Sequence, residues 1–196
     1  MRLKDKIAMV TGAGAGIGKA TSLLFAREGA TVVVADINEK TAAETSGEVE
    51  ALGRRALTVQ ADVSRYEEAK KMMEAVLAQL GRVDILVNNA GIGDVRKFTE
   101  ITEADWDRIL SVNLKSVFNC TQPIVRAMID RRSGRIINLA SVAGLTGTPS
   151  HVHYSAAKGG VVAFTKALAK EVGQYGVTVN AIAPGMVETG FGGGAP

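Results

Sequence analysis

Six short apolar runs separated by longer stretches of helical period dominate this chain, and that order leaves few folds open. The runs are Ile7–Thr11, Thr31–Ala35, Ala56–Gln60, Ile85–Asn88, Arg135–Leu139 and Val177–Ile182. Each is continuous rather than alternating, so each reads as a strand covered on both faces. The expected fold is α/β: a Rossmann-type doubly wound parallel sheet of about six strands with helices on both faces.

The segments between the runs carry helical spacing. Ala69, Met72, Met73, Val76 and Leu80 share one face, with a cap-like Ser64 before them and Gly81 after. Thr102–Arg131 is long for a single helix, and Pro123 within it either kinks the helix or closes a first turn. At 196 residues the chain suits one domain with a full core. No apolar run approaches the ~18–20 uncharged residues of a membrane span. Met1–Lys6 places charges where an export signal needs an apolar stretch. The single cysteine, Cys120, leaves no internal disulfide and reads as a buried packing residue, in keeping with a cytoplasmic setting. A net charge of +3, from 23 basic and 20 acidic residues spread along the chain, gives nucleic acid no clustered basic face.

A glycine-rich turn follows the first run in Thr11-Gly12-Ala13-Gly14-Ala15-Gly16-Ile17-Gly18, and an amphipathic stretch from Lys19 to Glu28 comes next. A strand, a glycine turn and a helix start can set backbone N–H groups and a positive helix end against a diphosphate. The spacing departs from G-x-G-x-x-G, and a tight turn needing positive φ would also explain the glycines. Asp36 shifts the balance, because it closes the second run about 20 residues on, where a carboxylate can bind a ribose 2′-hydroxyl. The same charge would repel a 2′-phosphate, which favours NAD over NADP. Asp36 could alternatively cap the helix that includes Glu39.

Tyr154 and Lys158 stand at i and i+4, on one face if the segment to about Val172 is helical, as Ala157, Val161, Phe164, Leu168 and Val172 indicate. A tyrosine acting as a base at neutral pH needs its phenolate stabilised by about 3 pKa units, or roughly 4 kcal/mol. A lysine charge ~4 Å away contributes on that order, and an oxidised nicotinamide would add to it. An amphipathic helix with a surface lysine is the plainer alternative. Gly159-Gly160 speaks against it, since glycines inside a helix cost about 1 kcal/mol each and imply a close approach by a packed helix or a ligand.

The glycine turn, Asn88-Asn89-Ala90-Gly91 after the fourth run, Ser141 after the fifth and Tyr154-Ser155-Ala156-Ala157-Lys158 occur in order. With these motifs the chain resembles the short-chain dehydrogenase/reductase family from about Lys6 to Thr189, and within it the 3-oxoacyl-acyl-carrier-protein reductase-like members. The resemblance implies that Ser141 hydrogen-bonds the substrate oxygen, Tyr154 exchanges the proton and Lys158 holds the ribose and lowers the tyrosine pKa. It implies that Asn113 keeps a water in the proton relay. It also implies cofactor contacts from Gly12, Gly16, Ile17, Gly18, Asp36, Asp62, Val63, Asn89, Ala90, Gly91, Pro184, Gly185 and Thr189, besides Tyr154 and Lys158. Asp62-Val63 would touch adenine, Asn89 the adenosine ribose and Thr189 the nicotinamide carboxamide.

The expected activity is hydride transfer between NAD(H) and a secondary alcohol or ketone, a 3-oxoacyl thioester being one example. The expected partners are a small alcohol or carbonyl compound and further copies of the chain, as a homodimer or homotetramer, with no nucleic acid, membrane or metal. His151 and His153, at i and i+2, are expected to line the substrate side of the cleft or to be exposed. Residues 1–190 are read as the dinucleotide-binding and catalytic domain, and 191–196, with Gly192-Gly193-Gly194, as the start of a truncated or disordered substrate-covering segment. Without the rest of that segment the sixth run would form an exposed edge. A dinucleotide-binding sensor or scaffold without turnover is the alternative function, though Asn113, Ser141, Tyr154 and Lys158 argue against it.

Overall fold

The computed structural model describes residues 1–189, so the 191–196 segment lies outside the described residues. Its centre is a six-stranded sheet: β1 Ile7–Thr11, β2 Thr31–Asp36, β3 Ala56–Gln60, β4 Ile85–Asn88, β5 Gly134–Leu139 and β6 Val177–Ile182. All pairings are parallel and the spatial order is β3-β2-β1-β4-β5-β6. The expected doubly wound sheet is therefore present, and the strand order reverses between β1 and β4. Among the described residues β6 pairs with β5 alone.

Both faces of the sheet are covered, which explains the unbroken apolar runs. Along β1, Ile7 and Met9 join a core beneath helices α3 (Tyr66–Leu80) and α5 (Ser116–Asp130) and the end of α7 (Val152–Val172). Ala8 and Val10 point the other way, into a second core beneath α1 (Gly16–Arg27) and α2 (Glu39–Ala51). Met9 and Leu86 have no exposed surface, so truncating either to alanine costs about 2–5 kcal/mol. Cys120 is buried as expected, and that burial pushes its thiol up to about 12. No helix of the described residues is long and apolar enough to cross a membrane.

The segment expected at Thr102–Arg131 is interrupted. It runs as α4 (Glu103–Leu110), a π-helical turn (Ser111–Lys115) and α5. The irregularity falls at Asn113, while Pro123 lies inside α5. Thr102 opens α4 with a reciprocal capping box to Asp105. Ser64 does not cap α3, which begins after Arg65; its N–H and hydroxyl instead donate to Asp62 Oδ1, at 2.9 and 2.7 Å. A one-turn helix, α6 (Ala143–Thr146), links β5 to α7.

Candidate active site

The C-terminal ends of β1, β4 and β5 and the start of α7 bring most of the expected residues together. At the end of β1 the chain enters the glycine turn, with positive φ at Gly12 (+62°) and Gly16 (+52°). A Cβ at Gly12 would lie 2.8 Å from Ala90 Cα, and one at Gly18 would overlap the Gly12 carbonyl. The glycines therefore serve close backbone packing as well as the turn. Gly16 faces Thr189, whose Cβ would stand 3.1 Å from an added Cβ. Ile17 packs beneath the turn against the α1–α2 core.

Helix α1 begins with Ala15 as its N-cap, without a side-chain cap and without an acidic residue in its first turn. Its positive end is thus left to a ligand anion, and the turn fits a dinucleotide diphosphate. Asp36 closes β2 and is not a helix cap, since Asn38 caps α2 through Thr41 N–H. The Asp36 carboxylate accepts from Gly14 N–H and Asn38 N–H, both at 2.9 Å. It thereby ties the edge of the glycine turn to the tip of β2.

Asn89 sits under the same turn. Its amide donates to the carbonyls of Thr11 and Gly12, at 2.9 and 3.0 Å, and its own N–H and that of Ala90 donate to Thr11 Oγ1, both at 3.1 Å. Beyond β3, Val63 is buried behind Asp62. The buried Asn119 of α5 donates to the Val63 and Ser64 carbonyls at 2.9 and 3.1 Å. Sequence reasoning passed over Asn119, because a lone asparagine within an apolar helix gives no sign of a loop folded onto it.

The expected catalytic residues lie on the π turn, after β5 and on α7. Lys158 is 3% exposed, donates to the Leu139 carbonyl at 2.7 Å, and places Nζ 5.7 Å from the centre of the Tyr154 ring. Tyr154 hydrogen-bonds Ser141, whose Oγ also accepts from Ala143 N–H at 3.1 Å. Gly91 lies between two of the expected residues: a Cβ there would stand 2.7 Å from Asn113 Oδ1 and 3.5 Å from Lys158 Nζ. Asn113 clasps Ile92 in both directions, donating to its carbonyl at 2.9 Å and accepting from its N–H at 3.2 Å. The π turn carries that clasp, and such turns recur at functional sites. Pro184 accepts from Val142 N–H at 3.1 Å and so holds the segment after β6, with Gly185, beside Ser141.

Electrostatically the pair differs from the expectation drawn from spacing. Burial pushes the Tyr154 phenol above its ordinary value, and the Ser141 hydrogen bond works in the opposite direction. Burial also pulls Lys158 down to about 8. Its ammonium is engaged with a carbonyl, so lysine proximity alone does not make this phenol acidic.

Two further expectations are settled by packing. Packed helices make the approach implied by Gly159-Gly160: Gly144 of α6 would set a Cβ 2.7 Å from Gly159 N, and Gly160 faces Leu114 of the π turn. His153 neither lines the cleft nor is exposed. It is wholly buried, with Nε2 3.4 Å from Asp94 Oδ2, whereas His151 remains partly exposed with Nδ1 3.0 Å from the Pro149 carbonyl.

Comparison with known proteins gives the same picture. The family model described as short chain dehydrogenase matches residues 6–194. The 3-oxoacyl-[acyl-carrier-protein] reductase FabG of Thermotoga maritima is 44% identical over 189 residues, covering 96% of this chain and 77% of the relative. The (2S)-[(R)-hydroxy(phenyl)methyl]succinyl-CoA dehydrogenase subunit BbsD of Thauera aromatica is 42% identical over 189 residues, covering 96% and 76%. The crystal structure of NAD+-bound xylitol dehydrogenase superposes with a TM-score of 0.92 at 33% identity, covering 94% of this chain and 72% of that one. With the strand order reversing between β1 and β4, a glycine turn beside that reversal, and Ser141, Tyr154 and Lys158 gathered at the same end of the sheet, the chain belongs to the short-chain dehydrogenase family of oxidoreductases.

Proposed function

We propose that this chain transfers a hydride between NAD(H) and a secondary alcohol or ketone, with 3-oxoacyl thioesters among its carbonyl substrates. The observation that carries the proposal is the grouping of Ser141, Tyr154 and Lys158, with a buried ammonium anchored on Leu139 beside the phenol. Gly12, Gly16, Ile17 and Gly18 would hold the diphosphate and Asp36 the adenosine ribose. Asp62, Val63, Asn89, Ala90 and Gly91 would line the adenosine side, and Pro184, Gly185 and Thr189 the nicotinamide side. When bound, the nicotinamide supplies the hydride acceptor or donor and, oxidised, a positive charge.

Ser141 donates to the substrate oxygen and fixes its direction. Tyr154 Oη takes the hydroxyl proton as the carbinol carbon is oxidised, or returns it in reduction. Lys158 holds the ribose and supplies positive charge beside the phenol, and Asn113 fixes the neighbouring backbone for a relay water. NAD is favoured because the Asp36 carboxylate accepts ribose hydroxyls and repels a 2′-phosphate. The xylitol dehydrogenase relative, whose structure holds NAD+, is consistent with that choice. Names of the reductase and dehydrogenase relatives point to thioester carbonyl chemistry. A cytoplasmic setting suits the single buried cysteine.

Turnover of a panel of ketones, 3-oxoacyl thioesters and alcohols, followed by nicotinamide fluorescence, tests this reading. Tyr154→Phe is expected to keep cofactor binding and to lose about 10²–10⁴ in kcat. Wild-type rates from that variant, or wild-type protein that binds dinucleotide but turns over nothing, would overturn the proposal; the second outcome is the behaviour of a sensor.

A further inference from the structure

Helix α7 carries Tyr154 in its first turn, where helices fray most readily. Its N-cap, His151, makes no side-chain cap hydrogen bond, and the first turn contains no acidic residue. Local sequence therefore does little to hold the turn on which the phenol stands. A tether from elsewhere in the chain meets it. His153 is wholly buried with Nε2 3.4 Å from Asp94 Oδ2, and its Nδ1 has no hydrogen-bond partner among the described residues. In the tautomer with Nε2 protonated, that nitrogen donates to the carboxylate.

Asp94 lies in the segment after β4 that Asn113 holds at Ile92. Its Oδ2 also meets Arg108 at 3.4 Å and Arg96 at 3.6 Å. Arg96 reaches Asp105 at 2.6 Å, and its N–H donates to the Ser150 carbonyl at 2.8 Å, just before α7. The two segments flanking the reacting groups are therefore fastened to one another around a single carboxylate.

We propose that Asp94 is a positioning residue for the reaction, acting through His153 to fix the first turn of α7 and so the Tyr154 oxygen. The inference rests on the proposed oxidoreductase function. Displacing a reacting group by about 1 Å can cost on the order of 10²-fold in rate. Asp94→Ala is accordingly expected to lower kcat about 10- to 100-fold. The fraction of chains that bind dinucleotide and the cofactor Kd should stay within about twofold, because the glycine turn and Asp36 are untouched. General destabilisation would instead lower the binding stoichiometry together with the rate.

The experiment combines fluorescence titration of binding sites with kcat per titrated site. Amide exchange at Val152–Ser155 is expected to accelerate in the variant. His153→Leu should reproduce the loss and His153→Gln, which keeps a donor near the Nε2 position, should recover most of it. Asp94→Ala with wild-type kcat per site, or a loss that follows binding stoichiometry, overturns the positioning role. Wild-type protein without turnover overturns the oxidoreductase reading instead, so the two failures are distinguishable.

Discussion

The ammonium nitrogen of Lys158 stands 5.7 Å from the centre of the Tyr154 ring, on a side chain that is 3% exposed. Its burial has a cost that pH reveals. Folded Lys158 titrates near 8, against an ordinary 10.5. Below that range both folded and unfolded chains carry the charge, and the folded state bears the full cost of burying it. As pH rises above 8 the unfolded chain binds more proton, so this group favours folding progressively. Cys120, raised from 9.0 to about 12, acts in the opposite sense above 9, and Tyr154 does so above its ordinary 10.0. The clean window is pH 8 to 9. Lys158→Met should melt at a higher temperature than wild type at pH 7, and the difference should narrow between pH 8 and 9. Turnover should fall in the same variant. Melting curves that stay parallel across that window would contradict the assignment.

Asp36 has two duties, and one substitution separates them. Its oxygens accept from Gly14 and Asn38 N–H groups, so Asp36→Ala disturbs the glycine turn as well as removing charge. Asp36→Asn removes the charge and retains an acceptor. The asparagine variant should therefore show a lower NADP Kd relative to NAD, by about tenfold, the equivalent of about 1.4 kcal/mol. An unchanged NAD/NADP ratio would remove the cofactor assignment.

Two glycines predict opposite signs for the same replacement. A Cβ at Gly144 would stand 2.5 Å from the Lys158 carbonyl carbon, so Gly144→Ala forces α6 from α7. The expected cost is about 1–3 kcal/mol, with a fall in kcat as Ser141 shifts from Tyr154. Gly47, inside α2, has nothing within 4 Å of an added Cβ. Gly47→Ala should stabilise by about 0.5–1 kcal/mol. Urea denaturation of both variants reads the two signs.

Phe118 of α5 is 46% exposed and stacks on Tyr66 with ring centres 6.0 Å apart. The expected homodimer or homotetramer is tested at this exposed pair. Light scattering should return at least twice the chain mass for wild type, and Phe118→Glu should shift it towards monomer. A monomeric wild type would count against this assignment.

The strands were legible because both sheet faces are covered, which leaves short, continuous apolar runs rich in β-branched residues. The proximity of Ser141, Tyr154 and Lys158 was legible because Ser141 follows a strand end and the other two share one helix face. Much of what escaped depended on partners distant in sequence. The π turn forms where Asn113 clasps the backbone of Ile92, and no local signal distinguishes it from a helix near a proline. His153 read as lining the cleft or exposed because its partner Asp94 lies far back along the chain. Ser64 looked like a cap, but the neighbouring Asp62 carboxylate engaged its hydroxyl first. The phenol's shift depended on burial, which side-chain spacing alone does not report.

The reversal of strand order between β1 and β4 divides labour in this molecule. On the proposed function, Asp36 and the glycine turn belong to the half that would grip the nucleotide, while Ser141 and Tyr154 belong to the half that would meet the carbonyl. Nucleotide preference and substrate choice can consequently be altered separately, each by changes on its own side of the sheet's midline.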